Sequence, residues 1–390
     1  MKTEMKPSQR PKRLRIAVLN RVFAPTGGGA ERYSIALVEQ LAQRHDIHVF
    51  AQQINHHWPG VTYHQVSAPL SWSRWINQLW YASATWWATR GGFDVVHSHE
   101  NTWHGQVQTV HVLPVKYSLF AGRSGWRWLL RCLQVVTSPR LLAYLWLERL
   151  RYAIHDRRRV VLISESLRAV MARAYPAALP VAQVLTPGVA QLPGAASAAQ
   201  RSAARHGLGL PESGFCILFV ANDCRKKGLG ALLEALKQLP PDCFVSVAGS
   251  AAQVGQFRAL AQSLGVAQRV FFLGALDDVS VAYRAADCVA HPTLEDTFAM
   301  VVLEAMAHGL PVIVSSERYC GISGLLTDEM NALILWDPRD ATALAQALHR
   351  VLQEAALRQR LSQAAVQFAR HHQWPAIALQ QEAIYLDVAG

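Results

Sequence analysis

Between Phe215 and Ser315 the chain repeats one pattern: a short apolar run, then a stretch of helical spacing. The runs are Phe215–Val220, Phe244–Ala248, Val270–Phe272, Cys288–His291 and Pro311–Ser315; the helical stretches between them are Leu229–Leu239, Val254–Leu264, Val279–Ala286 and Met300–His308. Runs this short and this continuously apolar predict strands buried on both faces, and a helix between each successive pair predicts parallel neighbours. A weaker copy of the pattern occupies the first half, at Leu14–Leu19, Ile47–Phe50, Val95–Val96, Val107–Val112 and Val160–Ile163. A chain of 390 residues exceeds one ordinary core, so two α/β domains with doubly wound parallel sheets are expected, facing each other across a cleft. The Ala-, Gly-, Ser- and Pro-rich stretch 191–214 reads as their connection, with room for a short helix. Ala341–Arg370 reads as one long helix, followed by Trp374 and a final helical stretch. No repeat of 20–50 residues marks a solenoid.

Charge separates the two halves. Residues 1–190 carry 23 Lys and Arg against 9 Asp and Glu, whereas residues 191–390 carry 15 against 18. Ten of the twelve tryptophans lie between Trp58 and Trp146, interleaved with arginines such as Arg123, Arg127, Arg131 and Arg140. Aromatics beside cations suit the headgroup layer of an anionic membrane, while a tryptophan-rich core ringed by solvated arginines explains part of the same composition. No nucleic-acid-binding motif accompanies it, so no nucleic-acid partner is expected. The apolar run after the basic N-terminus is too short for a secretory leader, and the uncharged stretch Trp75–Thr89 is too short to span a bilayer. The six cysteines show no CxxC pair or zinc-ligand rhythm, which fits reduced thiols in a cytoplasmic protein.

Four segments carry candidate chemistry. In His291–Ser315 a strand ends at His291-Pro292, a polar loop follows, and a helix begins around Thr297–Met300. Asp296 stands at the head of that helix and Glu304 lies about two turns on, near the same face. The helix start offers amides to a diphosphate and Glu304 an acceptor to ribose hydroxyls; from local chemistry alone a capped amphipathic helix with a solvated Glu304 is the stronger reading. A second loop, Asn222-Asp-Cys-Arg-Lys-Lys-Gly228, sets Arg225, Lys226 and Lys227 at a helix start, where cations oppose the helix dipole unless an anion joins them. A third, Gly27-Gly28-Gly29, turns the first strand into a helix and is neither GxGxxG nor a P-loop. The fourth gathers His97, His99 and His111 at strand ends without a zinc-ligand spacing, and the chain contains no Asp-x-Asp.

Taken together, these segments resemble family 4 of the retaining glycosyltransferases, the group 1 transferases. Phe298, Leu303, Glu304, Ala305, Met306, Gly309 and Pro311 fall on the family's carboxylate-x7-carboxylate signature; Asp296 replaces the usual Glu, and Thr297 and Ala299 replace two glycines. Lys226 and Lys227 match its Arg-Lys loop, and Gly28 and Gly29 its N-terminal glycine loop. The resemblance implies the GT-B fold: two Rossmann-like domains, acceptor-binding 1–190 and donor-binding 191–370, with the tail 371–390 packing back on the first. It implies metal-independent hexosyl or heptosyl transfer with retention, from a nucleotide-sugar co-substrate and with no cofactor.

By the same resemblance His111, Lys227 and Asp296 serve the transfer. Gly28, Gly29, Lys226, Lys227, Asp296, Phe298, Ala299, Met300 and Glu304 hold the donor. Tyr319-Cys320-Gly321 and Thr109-Val110-His111 resemble transferases of lipopolysaccharide core assembly. They imply a lipid-linked glycan acceptor and a peripheral site at the inner face of the cytoplasmic membrane, reached through the basic Trp-rich half. Two other readings stay open: a nucleotide-sugar epimerase of the same fold, and a non-enzymatic membrane- or glycan-binding protein.

Overall fold

The computed structural model describes residues 13–25, 28–70 and 72–390. The basic N-terminal stretch read for a leader lies almost wholly outside the described residues, as does Gly27 of the glycine loop.

The first sheet is built from β1 (Arg15–Leu19), β3 (Asp46–Ala51), β5 (Val61–Gln65), β6 (Val95–Ser98), β7 (Val107–Val110), β8 (Arg159–Leu162) and β9 (Ala182–Val184), in the order β5-β3-β1-β6-β7-β8-β9. A small pair, β2 (Val22–Phe23) with β4 (Gln53–Ile54), extends its rim. The second sheet contains β10 (Phe215–Val220), β11 (Cys243–Ala248), β12 (Val270–Gly274), β13 (Cys288–His291), β14 (Val312–Ser315) and β15 (Leu333–Leu335), in the order β12-β11-β10-β13-β14-β15. All pairings are parallel. The direction of winding reverses beside β1, between β3 and β6, and beside β10, between β11 and β13. Ligands of such sheets sit beyond the strand ends at these reversals. Gly28 and Gly29 follow β1 after the short β2, and the lysine loop leaves β10, so both segments lie on the crevice side of their sheets.

Helices cover both faces. In the first half they are α1 (Gly29–Leu41), α2 (Arg74–Ala88), α3 (Val115–Phe120), α4 (Gly125–Val136), α5 (Pro139–Arg151) and α6 (Glu165–Ala174). In the second they are α7 (Ala198–Gly207), α8 (Leu229–Leu236), α9 (Val254–Ser263), α10 (Ser280–Ala285), α11 (Met300–Ala307), α12 (Ala341–Gln353), α13 (Ala355–Arg370) and α14 (Trp374–Ala389). The connecting stretch does hold a helix: a Ser197–Gln200 capping box starts α7, which packs on α10. Its Arg205 is buried, donating to the carbonyls of Ala285, Glu212 and Gly214 and to Asp287.

The long helix expected at Ala341–Arg370 is broken instead. Glu354 leaves the helical region at φ −90° and ψ 88°, and Arg358 reaches back to the carbonyls of Val351 and Leu352 that the break exposes. The break lets α12 lie against α8 while α13 turns onto α11. At the chain's end α14 packs on α1 and the strands β6 and β7 of the first sheet. It is fastened there by Glu382 to Arg44 and by Asp387 to Arg159.

The tryptophans expected partly in a core are largely outside it: Trp58, Trp72, Trp80, Trp86, Trp87, Trp126, Trp128 and Trp146 are all exposed. The arginines divide. Arg151 and Arg158 are buried and serve backbone carbonyls, whereas Arg127 and Arg140 face solvent. Among the described residues no helix is long and apolar enough to cross a membrane.

Candidate active site

Two loops and two helix starts meet where the sheets face each other. Beyond β10, Asp223 accepts the Lys226 amide at 3.0 Å and turns the chain toward Gly228. Gly228 has φ +85°, and a Cβ there would stand 1.9 Å from the carbonyl oxygen of Pro292, so a glycine is required for this loop to lie against the end of β13. That close approach brings Lys227 to Asp296: its Nζ donates to Oδ2 at 2.6 Å and to the Glu295 carbonyl at 3.0 Å. Buried His291, at the end of β13, puts its Nε2 3.2 Å from the same oxygen. Burial would raise the Asp296 carboxyl, but the His291 hydrogen bond and the Lys227 charge outweigh it and hold the group well below the usual carboxylate range. Oδ1 accepts the amides of Phe298 and Ala299, so both oxygens of Asp296 are engaged.

Ala299 then takes a left-handed conformation, φ 73° and ψ 71°, to start α11 at Met300. From the opposite domain Gly28 caps α1, and Gly29 stands opposite Met300, whose sulfur would lie 3.7 Å from a Cβ at that position. The starts of α1 and α11 thus face one cavity of about 410 Å³. Paired helix N-termini of this kind favour an anion. His111, Lys227, Asp296, Phe298, Ala299, Met300, Gly28 and Gly29 all line the cavity.

Two of the expected donor residues lie elsewhere. Lys226 turns outward to an ion pair with Glu295. Glu304 points between the domains, accepting Arg32 Nη1 at 2.7 Å and the Tyr283 hydroxyl at 2.9 Å. Arg32 lines the cavity as well, a residue of the glycine-loop segment that spacing does not single out. Nor does spacing single out Thr297 and Ser164. Thr297 donates to the His111 carbonyl at 2.6 Å, and Ser164 donates to the Thr297 carbonyl at 2.7 Å, joining the domains at the cavity wall.

The histidines bond to their neighbours. His97 bridges Tyr385 and Thr109, and His99 Nδ1 lies 2.9 Å from His111 Nε2. Burial pushes His111 and His97 down to about 3, so both are neutral at physiological pH. Among the described residues no cluster of three or more His, Cys, Asp or Glu is placed to hold a metal ion. A second cavity of about 930 Å³ shares Asp296 and Thr297 with the first and runs along α3 and α6 to the loop Glu317–Tyr319.

Residues 27–190 match the family model described as Glycosyltransferase Family 4, and residues 200–368 match Glycosyl transferases group 1. The chain belongs to this family of glycosyltransferases. The D-inositol 3-phosphate glycosyltransferase of Salinispora tropica is 35% identical over 185 residues, covering 44% of this chain and 38% of that protein. The lipopolysaccharide glucosyltransferase WaaG of Escherichia coli K12 is 30% identical over 187 residues, covering 45% and 48%. The match thus spans about half or less of the length of these curated relatives. In structure, a crystal structure of WaaG aligns with a TM-score of 0.82 at 21% identity, over 96% of this chain and 100% of that one. HepE of Anabaena, solved with UDP-glucose, aligns at 0.76 and 18% identity, over 95% and 98%. The two parallel-sheet domains are the GT-B architecture of this glycosyltransferase family.

Proposed function

We propose that this chain transfers a hexosyl or heptosyl unit, with retention of anomeric configuration, from a nucleotide-sugar to a lipid-linked glycan. The observation that carries the proposal is the cavity between two helix N-termini, with Lys227 and Asp296 on one wall and His111 on the other. The diphosphate lies at the starts of α1 and α11, and Lys227 offsets the charge that builds on it as the glycosidic bond breaks. Asp296, kept ionised, accepts hydrogen bonds from sugar hydroxyls, and His111 contacts the same sugar from the first domain. Asp296, engaged through both oxygens, is not an evident nucleophile. Attack from the leaving-group face through an oxocarbenium-like transition state is therefore the economical path. Without Asp-x-Asp, the donor's charge is met by lysine and backbone amides, with no metal and no cofactor. The ribose falls to Glu304, which exchanges Arg32 for it, and Lys226 leaves Glu295 to reach the distal phosphate.

In this reading residues 191–370 bind donor, and residues 1–190 with the tail 371–390 bind acceptor in the second cavity. That cavity meets the first at Asp296 and Thr297 and ends beside Tyr117 and Phe120 of α3. Just beyond, α4 exposes Trp126, Trp128, Leu129, Leu130, Leu133 and Val136 with Arg127 among them, a face suited to an anionic bilayer. An acceptor with a glycan head and a lipid tail fits that path. In this reading the protein works at the cytoplasmic face of the inner membrane, in lipopolysaccharide core or surface polysaccharide synthesis.

The deciding experiment is a thermal-shift screen against UDP, GDP, ADP and CMP sugars, followed by transfer assays with the donor that binds. A donor at a hundred times its Kd adds about 2.7 kcal/mol of apparent stability. Lys227→Ala should fold and lose transfer by at least about a hundredfold. A donor that shifts nothing, or full activity in Lys227→Ala, would defeat the assignment.

A further inference from the structure

His111 reaches the cavity with one ring nitrogen and is engaged from behind by the other. Its Nε2 lies 2.9 Å from Nδ1 of His99, and the two rings are nearly parallel at 16°. Nδ1 of His111 makes no bond to the protein and is not enclosed, so it is the nitrogen left for a ligand in the cavity. Both rings are neutral. Burial, reinforced by Arg151, holds His111 down to about 3, and burial together with His97 and His111 holds His99 well below its ordinary value. One ring must therefore donate to the other, and two arrangements exist. Either His99 donates from Nδ1 and His111 carries its proton on Nδ1, or His111 donates from Nε2 and His99 carries its proton on Nε2.

The far side of His99 separates them. Its Nε2 is sealed from solvent and has no partner among the described residues. The flanking groups are the rings of Tyr33 and His97, with centroids at 5.9 and 4.2 Å. In the second arrangement that nitrogen is a buried N–H without an acceptor. In the first it is a buried lone pair, which is the lesser loss, since orphaned N–H groups are rarer in folded proteins than under-used acceptors.

We propose that His99 is a positioning residue that donates from Nδ1 to His111, fixing His111 as the Nδ1–H tautomer. His111 then presents a neutral N–H donor to an oxygen of the transferring sugar. The hydroxyl or ring oxygen of a sugar is the chemistry that accepts from it; a sugar hydroxyl proton is not. The donor role of His111 rests on the glycosyl-transfer reading above, while the tautomer does not.

The test is a long-range 1H–15N spectrum of the full chain labelled with 15N-histidine, recorded without substrate. The wild-type protein should show His111, assigned by its loss in His111→Gln, protonated on Nδ1 with a bare Nε2. His99→Phe removes the donor and should return His111 toward the Nε2–H form that free imidazole favours. It should lower kcat about tenfold, the worth of one hydrogen bond in the transition state, with donor KM within about twofold. His99→Asn keeps an N–H at the same point and should restore both the Nδ1–H signal and most of kcat. A wild-type His111 protonated on Nε2 overturns the proposal, and that result stands even if His99→Phe fails to fold. So does His99→Asn matching His99→Phe in a folded protein. An Nδ1–H tautomer in a protein that transfers no sugar would instead overturn the functional reading and leave the His99–His111 assignment in place.

Discussion

Helices α4 and α11 are both leucine-bearing, yet the fold uses them in opposite ways. In α11 the residues Val302, Leu303, Ala305, Met306 and Ala307 are buried and the helix start forms a wall of the first cavity. In α4 Val135 alone of twelve residues is buried, and Leu129, Leu130 and Leu133 stand in solvent. Apolar content therefore carries two meanings in this chain. In α11 it measures core; in α4 it measures exposed surface. Leucine-to-alanine changes test this directly. Leu303→Ala, at 0% exposure, should cost roughly 2–5 kcal/mol in chemical denaturation. Leu133→Ala, at 61% exposure, should stay within about 0.5 kcal/mol of wild type. Equal losses would mean that α4 packs against something in the isolated protein.

The same contrast predicts binding. Leu129→Glu combined with Leu133→Glu should leave the melting temperature unchanged and weaken association with vesicles rich in anionic lipid by roughly thirtyfold or more. Two leucines withdrawn from the interface account for about 2–3 kcal/mol. Sedimentation at low salt checks it, and undiminished binding by the double variant would move the contact away from α4.

Legibility follows the same division. The strands of the second domain were readable because a strand buried on both faces is continuously apolar, as in Phe215–Val220. The signature helix was readable because its chemistry lies within one short stretch. What joins the domains was not. Arg32 and Glu304 are 272 residues apart, and Thr297 and His111 are 186 apart, and no periodicity or spacing rule reports such pairs. The break at Glu354 was hidden for a related reason. Its surroundings contain neither Gly nor Pro, and the helix parts because α12 and α13 pack on different partners, a tertiary cause. The exposure of the tryptophans was equally unreadable, since composition does not say which face a helix turns outward.

Asp296 offers a test of the site's electrostatics that α4, with no buried ion pair, does not. A carboxyl held below its unfolded value stabilises the fold above the unfolded value, and that stability is lost as the pH falls toward the folded one. Asp296→Asn removes the charge but keeps the size, and should cost roughly 2 kcal/mol at pH 7, the scale of a charged hydrogen bond. The gap between wild type and variant should close as the pH falls below about 4, where the unfolded carboxyl begins to hold its proton. A gap that stayed constant to pH 3 would show that the Lys227 and His291 contacts do not hold the carboxylate.

The smallest expected effect comes from the residue that departs from the family pattern at the head of α11. Ala299 holds φ 73°, where an L side chain is strained and glycine is not. Ala299→Gly relieves that strain but also loosens the unfolded chain, and the first effect is the larger when the native φ is positive. The variant should therefore gain about 0.5–1 kcal/mol, a small rise in melting temperature. The opposite change in α4, Leu130→Gly in an exposed helix interior, should lose a similar amount through helix propensity alone. If Ala299→Gly were destabilising instead, the methyl group would be contributing packing against Phe298 and Met300 that exceeds its backbone strain. The alanine would then be part of how this cavity wall is shaped.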